Sequence, residues 1–304
     1  MLAHLFDSLF SAGVGTGPPI RRQGPYSFTL LPCCIPAMAV FPARPNESAG
    51  QREWRLRVRY LFDSVASRYE GARWTYPAEL VDWMVATARL NQGARVLEIG
   101  CGTGQLTSQL AGHRLSVTAI DVGAAMVELA RARVRDPDVR FEATSFEDFA
   151  APAGSFELVT SASAFHWLDP AVRWSKSVQL LAPGGWIALV YNSEKYDDPV
   201  GSGLFHAWIA RSKDGGAWAR GPRHTVAEMI EASGLFEPAL EKIHLDRLSI
   251  PAERVLALEQ TRGTFLDYEA TTQQSFTDEL REIIGGAAEV RATVETSVTM
   301  ARRR

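Results

Sequence analysis

The sequence predicts a doubly wound α/β fold built on a seven-stranded, mostly parallel sheet, with helical elements covering it at the N-terminal side and capping it at the C-terminal side. Short apolar segments alternate with segments of helical periodicity between residues 95 and 191. Strands that alternate with helices imply a sheet covered on both faces. A glycine-rich stretch also joins the first apolar segment to the first helix of this region, where such folds bind ligands.

Composition fits one large globular domain and excludes several classes of function. The chain has 304 residues, of which 46% are hydrophobic and 22% charged. The net charge of -3 gives no broad positive field, so we expect no nucleic-acid partner. The three cysteines, Cys33, Cys34 and Cys101, lack zinc-site spacing and fit a reducing cytoplasm, so we expect no metal and a cytoplasmic location. The longest apolar stretch, residues 28–43, contains three prolines, so we expect no membrane span.

Residues 1–51 form a predicted N-terminal extension that is separate from the folded domain predicted at 52–304. They are rich in proline and glycine and lack helical or strand periodicity, which indicates disorder. Arg21 and Arg22 before an apolar run weakly resemble an export signal, but prolines interrupt that run. A second interpretation is that translation starts at Met38 and the preceding residues are a start-site artefact.

Two helices are predicted between Arg52 and Leu90, separated near Pro77. The candidate strands of the core, residues 92–192, follow as Arg95–Ile99, Ser116–Ile120, Val139–Glu142, Phe156–Ser161 and Trp186–Tyr191. The segments between them have the apolar spacing of crossover helices at Gln105–Ala111, Ala124–Val134 and Ala171–Leu181.

The alternation stops after Asn192. Helices are predicted at Leu204–Ser212, Thr225–Ala232, Ala252–Gln260 and Phe276–Ile284. We expect the remaining strand-like segments, Glu241–Ser249 and Val294–Ala301, to extend the sheet. Residues 194–240 and 250–290 are then the candidate substrate-capping elements.

A glycine loop lies between the first strand and the first crossover helix. Gly100, Gly102 and Gly104 allow a sharp turn and a close approach to a ligand, and the helix N-terminus that follows favours an anion. The dinucleotide fingerprint requires its third glycine at the position of Gln105, so pyrophosphate binding is disfavoured.

This segment resembles the class I S-adenosylmethionine-dependent methyltransferase family, whose fold is Rossmann-like. Glu98 to Gly104 reads acidic-x-Gly-x-Gly-x-Gly, the first motif of that family, and Asp121 ends the second strand, where an acid can accept both ribose hydroxyls. The resemblance implies S-adenosyl-L-methionine as the cofactor, held by Glu98, Gly100, Cys101, Gly102, Gly104, Asp121 and Val122. The alternative is a simple tight turn, with Asp121 capping the helix that begins near Gly123.

In this family an acid after the third strand commonly meets the adenine amine. Ser145 stands at that position, and Phe146 follows where a small residue is usual. The Ser145 hydroxyl and the Phe146 amide are therefore the candidate adenine contacts, with the Phe146 ring packing on the base. Phe146 as an ordinary core residue is the alternative.

Two further segments resemble small-molecule methyltransferases of the trans-aconitate type. They are residues 62–77, with Tyr69 at the position that approaches the methionine end of the cofactor, and residues 161–169 after the fourth strand. An aromatic ring beside a sulfonium is physically sensible. Trp74 stands where that group usually has proline, and Tyr69 could instead serve only to pack the helices.

His166 is the candidate general base, because it follows the carboxyl end of a strand and its ordinary pKa permits the neutral form. Packing or capping roles for His166 stay open, since methyl transfer can proceed by orientation alone. His206 and His224 are weaker candidates, and a possible roof of the acceptor pocket contains Phe205, Trp208, Arg211, Trp218, Arg220 and Arg223.

The sequence thus predicts methyl transfer to a small molecule, with oxygen favoured by family analogy, by a monomer or homodimer. Two alternatives remain: a non-catalytic protein of the same fold that binds the cofactor, and a nicotinamide-dependent oxidoreductase, which the glycine spacing disfavours.

Overall fold

The computed structural model describes residues 48–212 and 225–304. Most of the predicted N-terminal extension therefore lies outside the described residues, and the first helix begins at Ala49. The α-helices are α1 Ala49–Val58, α2 Ala66–Ala72, α3 Ala78–Thr87, α4 Gln105–Gly112, α5 Ala124–Arg133, α6 Arg173–Leu180, α7 Val200–Arg211, α8 Val226–Ala232, α9 Ala252–Gln260, α10 Gly263–Leu266 and α11 Ala270–Ile284. Short 3-10 helices span Leu61–Val65 and Phe165–Trp167.

One seven-stranded sheet organises these helices, as predicted. Its strands are β1 Arg95–Ile99, β2 Ser116–Asp121, β3 Val139–Ala143, β4 Phe156–Ala162, β5 Leu181–Tyr196, β6 Leu240–Pro251 and β7 Glu289–Arg302. They lie in the order β3-β2-β1-β4-β5-β7-β6. The first five pair in parallel, and β7 lies antiparallel between β5 and β6. The two C-terminal strands therefore extend the sheet, which confirms the prediction.

Two apolar layers cover the sheet on opposite faces. Side chains such as Val96 and Leu158 pack with Leu80 of α3 and Leu110 of α4. Side chains such as Leu97 and Val159 face the other way and pack with Leu180 of α6 and Ile230 of α8. Alternate residues of one strand thus enter different layers, as the two-residue repeat of a strand requires.

The N-terminal cover contains more elements than predicted. The break near Pro77 is present, but the segment before it divides again into α1, the 3-10 helix Leu61–Val65 and α2. Within that 3-10 helix, Asp63 Oδ1 accepts hydrogen bonds from the amides of Ala125 at 2.7 Å and Met126 at 3.2 Å. The chain leaves α-helical geometry where this carboxylate caps the N-terminus of α5, a partner that local periodicity cannot reveal.

A third apolar cluster joins the C-terminal cap elements to each other. Trp208 of α7, Val255 of α9 and Phe276 of α11 are buried in it, with Tyr196 at the end of β5. The described helices include none with the length and apolar character that crossing a bilayer requires.

Candidate active site

A cavity of about 600 Å³ lies over the carboxyl ends of the parallel strands. Ile99, Asp121, Thr144, Ala162 and Asn192 bring the ends of successive strands to its floor. Open α/β sheets bind ligands at this edge, and the volume falls within the usual range of small-molecule sites. The N-terminal cover and the cap elements form the remaining walls.

The glycine loop needs its glycines for steric reasons. Gly100, Gly102 and Gly104 all have positive φ, at 71°, 54° and 85°. A Cβ on Gly100 would overlap the Cβ of Ala164, so the loop after β4 packs directly on this backbone. The loop and the start of α4 thereby present backbone groups to the cavity.

Asp121 connects the two loops that lie over β1 and β2. Its Oδ2 accepts from the Gly102 amide and its Oδ1 from the Gly123 amide, both at 2.9 Å. Burial raises the pKa of this carboxyl, and the two amide hydrogen bonds oppose that shift. Asp121 and Val122 line the cavity.

Glu98, Cys101 and Gly104 are predicted cofactor residues that do not line the cavity. Glu98 is 1% exposed and accepts from the Thr107 hydroxyl at 2.7 Å. Burial raises the pKa of Glu98 to about 8, so this carboxyl carries a proton over much of the physiological range. Cys101 is also buried, and a Cβ on Gly104 would come within 3.2 Å of Ala130 in α5. These positions support the loop from behind.

Ser145 and Phe146 occupy different environments. The Ser145 hydroxyl donates to Asp148 Oδ2 at 2.6 Å and accepts from the Asp148 amide at 3.0 Å, which closes a local turn. Phe146 lines the cavity beside Thr144 and Met126, and Lys176 lies over its ring with Nζ 5.3 Å from the centroid. The wall at this end is therefore formed by a ring and apolar groups.

Tyr69 projects from α2 toward the glycine loop. A Cβ added to Gly102 would lie 3.8 Å from the Tyr69 ring, so the ring is close to the loop backbone. The Tyr69 ring also meets the Phe62 ring edge-on, with centroids 6.0 Å apart. The Arg73 guanidinium lies over the same ring, 4.7 Å from the centroid. The Tyr69 ring, with the Arg73 guanidinium stacked on it, therefore forms part of the cavity wall near the loop.

His166 lies on the 3-10 helix after β4 and lines the cavity. Its ring packs between Trp167 and Tyr191, with centroids 4.8 and 6.1 Å away. Within the described part of the chain its Nδ1 is buried with no hydrogen-bond partner. Burial, with Arg55, Arg173 and Arg73 nearby, lowers the pKa of His166 to about 3. The imidazole is therefore neutral and weakly basic.

The outer part of the cavity is rich in tryptophan. Trp54 and Trp167 lie with their ring centroids 5.9 Å apart. Trp74 and Trp208 also line the cavity. The indole nitrogens of Trp54 and Trp74 donate to Asp267 and Glu194, each at 2.7 Å. Of the predicted roof, Trp208 and Arg211 line the cavity, whereas Trp218, Arg220, Arg223 and His224 lie outside the described residues.

Several residues of the site carry no signal in the sequence. Arg55 donates from Nη1 to the His166 carbonyl oxygen at 2.8 Å, across 111 positions of the chain. Arg262 pairs with the buried Glu259, which also accepts a hydrogen bond from the Trp208 indole nitrogen at 2.7 Å. Neither residue belongs to a recognisable motif, because each acts through partners that only the fold brings near. Residues 48–212 and 225–304 contain no group of three His, Cys, Asp or Glu side chains arranged to hold a metal ion.

Comparison with known proteins agrees with this geometry. Residues 96–185 match a family model described as a methyltransferase domain. A solved protein from Anaeromyxobacter dehalogenans, provisionally assigned as a type II methyltransferase, is 24% identical with a TM-score of 0.56, over 76% of this chain and 97% of that one. The sheet has the class I methyltransferase fold.

Relatives of this methyltransferase fold differ in what they are named for. An uncharacterized methyltransferase of Mycobacterium tuberculosis is 35% identical over 132 residues, which are 43% of this chain and 52% of that protein. A ubiquinone biosynthesis O-methyltransferase of Thiobacillus denitrificans is 35% identical over 109 residues, 34% and 47% of the two chains. The match thus spans about half the length of these relatives. A [4+2]-cyclase, SpnF, shares the fold at 17% identity and a TM-score of 0.50, over 82% of this chain and 96% of that one.

Proposed function

We propose that this protein transfers a methyl group from S-adenosyl-L-methionine to a small-molecule acceptor, with oxygen as the favoured atom. The observation that carries the proposal is the pairing of Asp121 with the glycine loop at the cavity floor. A carboxylate at the end of β2 is suited to accept ribose hydroxyls, and the loop leaves no Cβ at the closest point of approach. The motif spacing supports this cofactor over a nicotinamide dinucleotide.

The cavity contains matching groups for each part of the cofactor. Phe146, with Thr144 and Met126, forms an apolar wall for the adenine. Asp121 and Val122 face the ribose, and the backbone of Gly100 and Gly102 faces the amino-acid end. Tyr69, close to Gly102, offers an aromatic face to the sulfonium.

Arg73 is the side chain that we assign to the methionine carboxylate of the cofactor. Its Nη2 donates to the Thr261 carbonyl oxygen at 2.7 Å, and its Nε is buried with no hydrogen-bond partner in the described part of the chain. Arg211 and Arg262, which also line the cavity, are paired with Glu279 and Glu259. Arg73 has no such acidic partner among residues 48–212 and 225–304, so it suits the methionine carboxylate beyond Tyr69.

The chemistry rests on orientation and on the exclusion of water. The cofactor, when bound, supplies an electrophilic methyl group on sulfur. The tryptophan-rich wall keeps the acceptor in a dry site, where a nucleophile can be held in line with that methyl group. His166, neutral and weakly basic, is suited to orient the acceptor by a hydrogen bond from its ring rather than to remove a proton at neutral pH.

The acceptor we favour is small and flat. The rings of Trp54, Trp74, Trp167 and Tyr268 match such a molecule, and the resemblance to trans-aconitate-type enzymes supports a metabolite rather than a macromolecule. Oxygen leads because ubiquinone biosynthesis O-methyltransferases are among the similar proteins. A fold shared with a cyclase keeps a protein that binds the cofactor without methyl transfer as the second candidate.

Calorimetric titration with S-adenosylhomocysteine tests the cofactor assignment. We expect binding by the wild type, a loss of at least about tenfold in affinity for Asp121→Ala, and no binding of NAD.

Arg73→Gln should weaken the binding of S-adenosylhomocysteine but leave unchanged the binding of methylthioadenosine, which lacks the carboxylate. The matched control is Arg68→Gln, an exposed arginine on α2, the helix that ends just before Arg73. Absence of binding by folded wild-type protein would refute the proposal, and binding without turnover in an acceptor screen would favour the second candidate.

A further inference from the structure

Strand β6 forms one edge of the sheet and exposes apolar side chains. Among the described residues, β7 is its strand partner along all twelve positions from Leu240 to Pro251. The large hydrophobic side chains that are exposed in this part of the chain are Tyr60, Leu240, Ile243 and Leu245, at 51%, 45%, 48% and 52%. Three of these four lie on β6. A long edge with exposed apolar residues is the feature that proteins normally cover or protect.

The charges of β6 are arranged symmetrically about His244. Counting outward from His244, Ile243 stands opposite Leu245, Lys242 opposite Asp246, Glu241 opposite Arg247 and Leu240 opposite Leu248. Each basic residue therefore matches an acidic one, and each apolar residue matches an apolar one. Lys242 and Arg247 have no acidic partner within residues 48–212 and 225–304.

This symmetry is what an antiparallel pair of identical strands requires. A two-fold axis at His244 would place each residue directly opposite its symmetric counterpart on the other copy. Counterparts differ by an even number of positions, so they project from the same sheet face. Opposite charges and apolar pairs at such positions stabilise a sheet, whereas an unrelated register would bring unlike residues together.

We propose that two copies of this chain dimerise through β6, paired antiparallel about His244, so that their sheets become continuous. The even-numbered face would then carry Lys242 against Asp246 of the other copy, and the odd-numbered face Glu241 against Arg247. Ile243 and Leu245 would cover each other across the axis. The cavity described above has no lining residue on β6, so the dimer leaves it open.

His244 at the axis is compatible with this arrangement. Its Nδ1 lies 2.7 Å from Glu79 of α3 and its Nε2 lies 3.0 Å from Asp246, so carboxylates of its own chain compensate its charge. Hydrogen bonds that the His244 ring donates to Glu79 and Asp246 raise the pKa of His244. The even-numbered face at the axis therefore contains balanced charges rather than two opposed cations.

Sedimentation velocity and light scattering of the full chain test the dimer and its register. The wild type should have twice the 33.4 kDa chain mass. Arg247→Glu or Glu241→Arg alone places like charges opposite each other twice in the dimer. The dissociation constant of the dimer should therefore rise by about tenfold or more. The double variant Glu241→Arg with Arg247→Glu exchanges the charges and should restore the dimer. Mixing the two single variants should also restore it as a heterodimer.

The matched control is Arg140→Glu on β3, the opposite edge of the sheet, which should leave the dimer intact. S-adenosylhomocysteine binding serves as the folding control, because β6 lies outside the cavity. A monomeric wild type at high concentration overturns the proposal, as does a dimer that neither single reversal weakens. A double variant that stays as dissociated as the singles overturns the register about His244.

Discussion

Individual residues of this site are defined by what surrounds them rather than by their type. Asp121 and Glu98 are both carboxyls beside the glycine loop, yet one faces the cavity and the other lies beneath the loop. The sequence analysis placed both in the cofactor site, Glu98 through the first family motif and Asp121 through its position at the end of the second strand. The distinction comes from Thr107 in the first turn of α4, whose hydroxyl donates a hydrogen bond to Glu98. His166 is a similar case, since burial in the folded protein, together with Arg55, Arg173 and Arg73, lowers the pKa of its imidazole.

The pH dependence of stability should contain a contribution from His166. Its pKa is about 3 in the folded protein and 6.5 ordinarily, so below about pH 6.5 the unfolded chain takes up a proton that the folded protein excludes. The free energy of unfolding should fall as the pH is lowered from about 6.5 toward 3, by on the order of 1 kcal/mol per unit from this group. Urea unfolding of the wild type and His166→Asn, each referred to its own value at pH 8, measures it. Identical slopes for the two proteins would contradict the assignment.

Helices and strands were largely predictable from local pattern, and their contacts were not. β1 was predicted to the residue, and the helix at Ala252–Gln260 likewise. β5 was predicted as Trp186–Tyr191 but continues to Tyr196, because Asn192 and its neighbours pair with β7 about a hundred residues later. Polar residues in that extension carry no strand pattern of their own. The hydrogen bond between Asp63 and the N-terminus of α5 was not predictable either, because its partners are also distant in sequence.

The cap elements depend on one buried charge cluster. Glu259 of α9 is 1% exposed and accepts from Arg262 at 2.7 and 2.8 Å and from Trp208 at 2.7 Å. Glu259→Gln should lower the free energy of unfolding by about 3 kcal/mol, because it removes the nearest counter-charge of Arg262 and leaves only the more distant Glu194 at 3.8 Å.

The matched control for that substitution is Glu279→Gln, which removes the more exposed partner of Arg211 on α11. It should cost about 1 kcal/mol or less. Chemical denaturation followed by tryptophan fluorescence measures both variants, since Trp208 lies in the cluster. Equal losses for the two would show that the buried pair contributes no more than a surface pair.

At the scale of the whole molecule, the sheet depends on its last strand. β7 hydrogen-bonds to β5 on one side and β6 on the other, and its Val298 and Met300 enter the main core. A chain that ends before Glu289 should therefore fail to fold into a soluble domain, whereas removal of Arg303 and Arg304 alone should be tolerated. Expression of both truncations, with solubility and circular dichroism as the measurements, tests this. A folded protein without β7 would contradict the role assigned to it.

The position of β7 also bears on how the protein is made. Because the ribosome releases residues in order, β5 can pair with β4 on one side, but its other edge and the whole of β6 must wait for Glu289–Arg302. The nascent chain therefore exposes two unpaired edges until synthesis has passed Arg302, including the apolar side chains of β6. The interval between the synthesis of β6 and that of β7 is then the time when this chain most needs a chaperone.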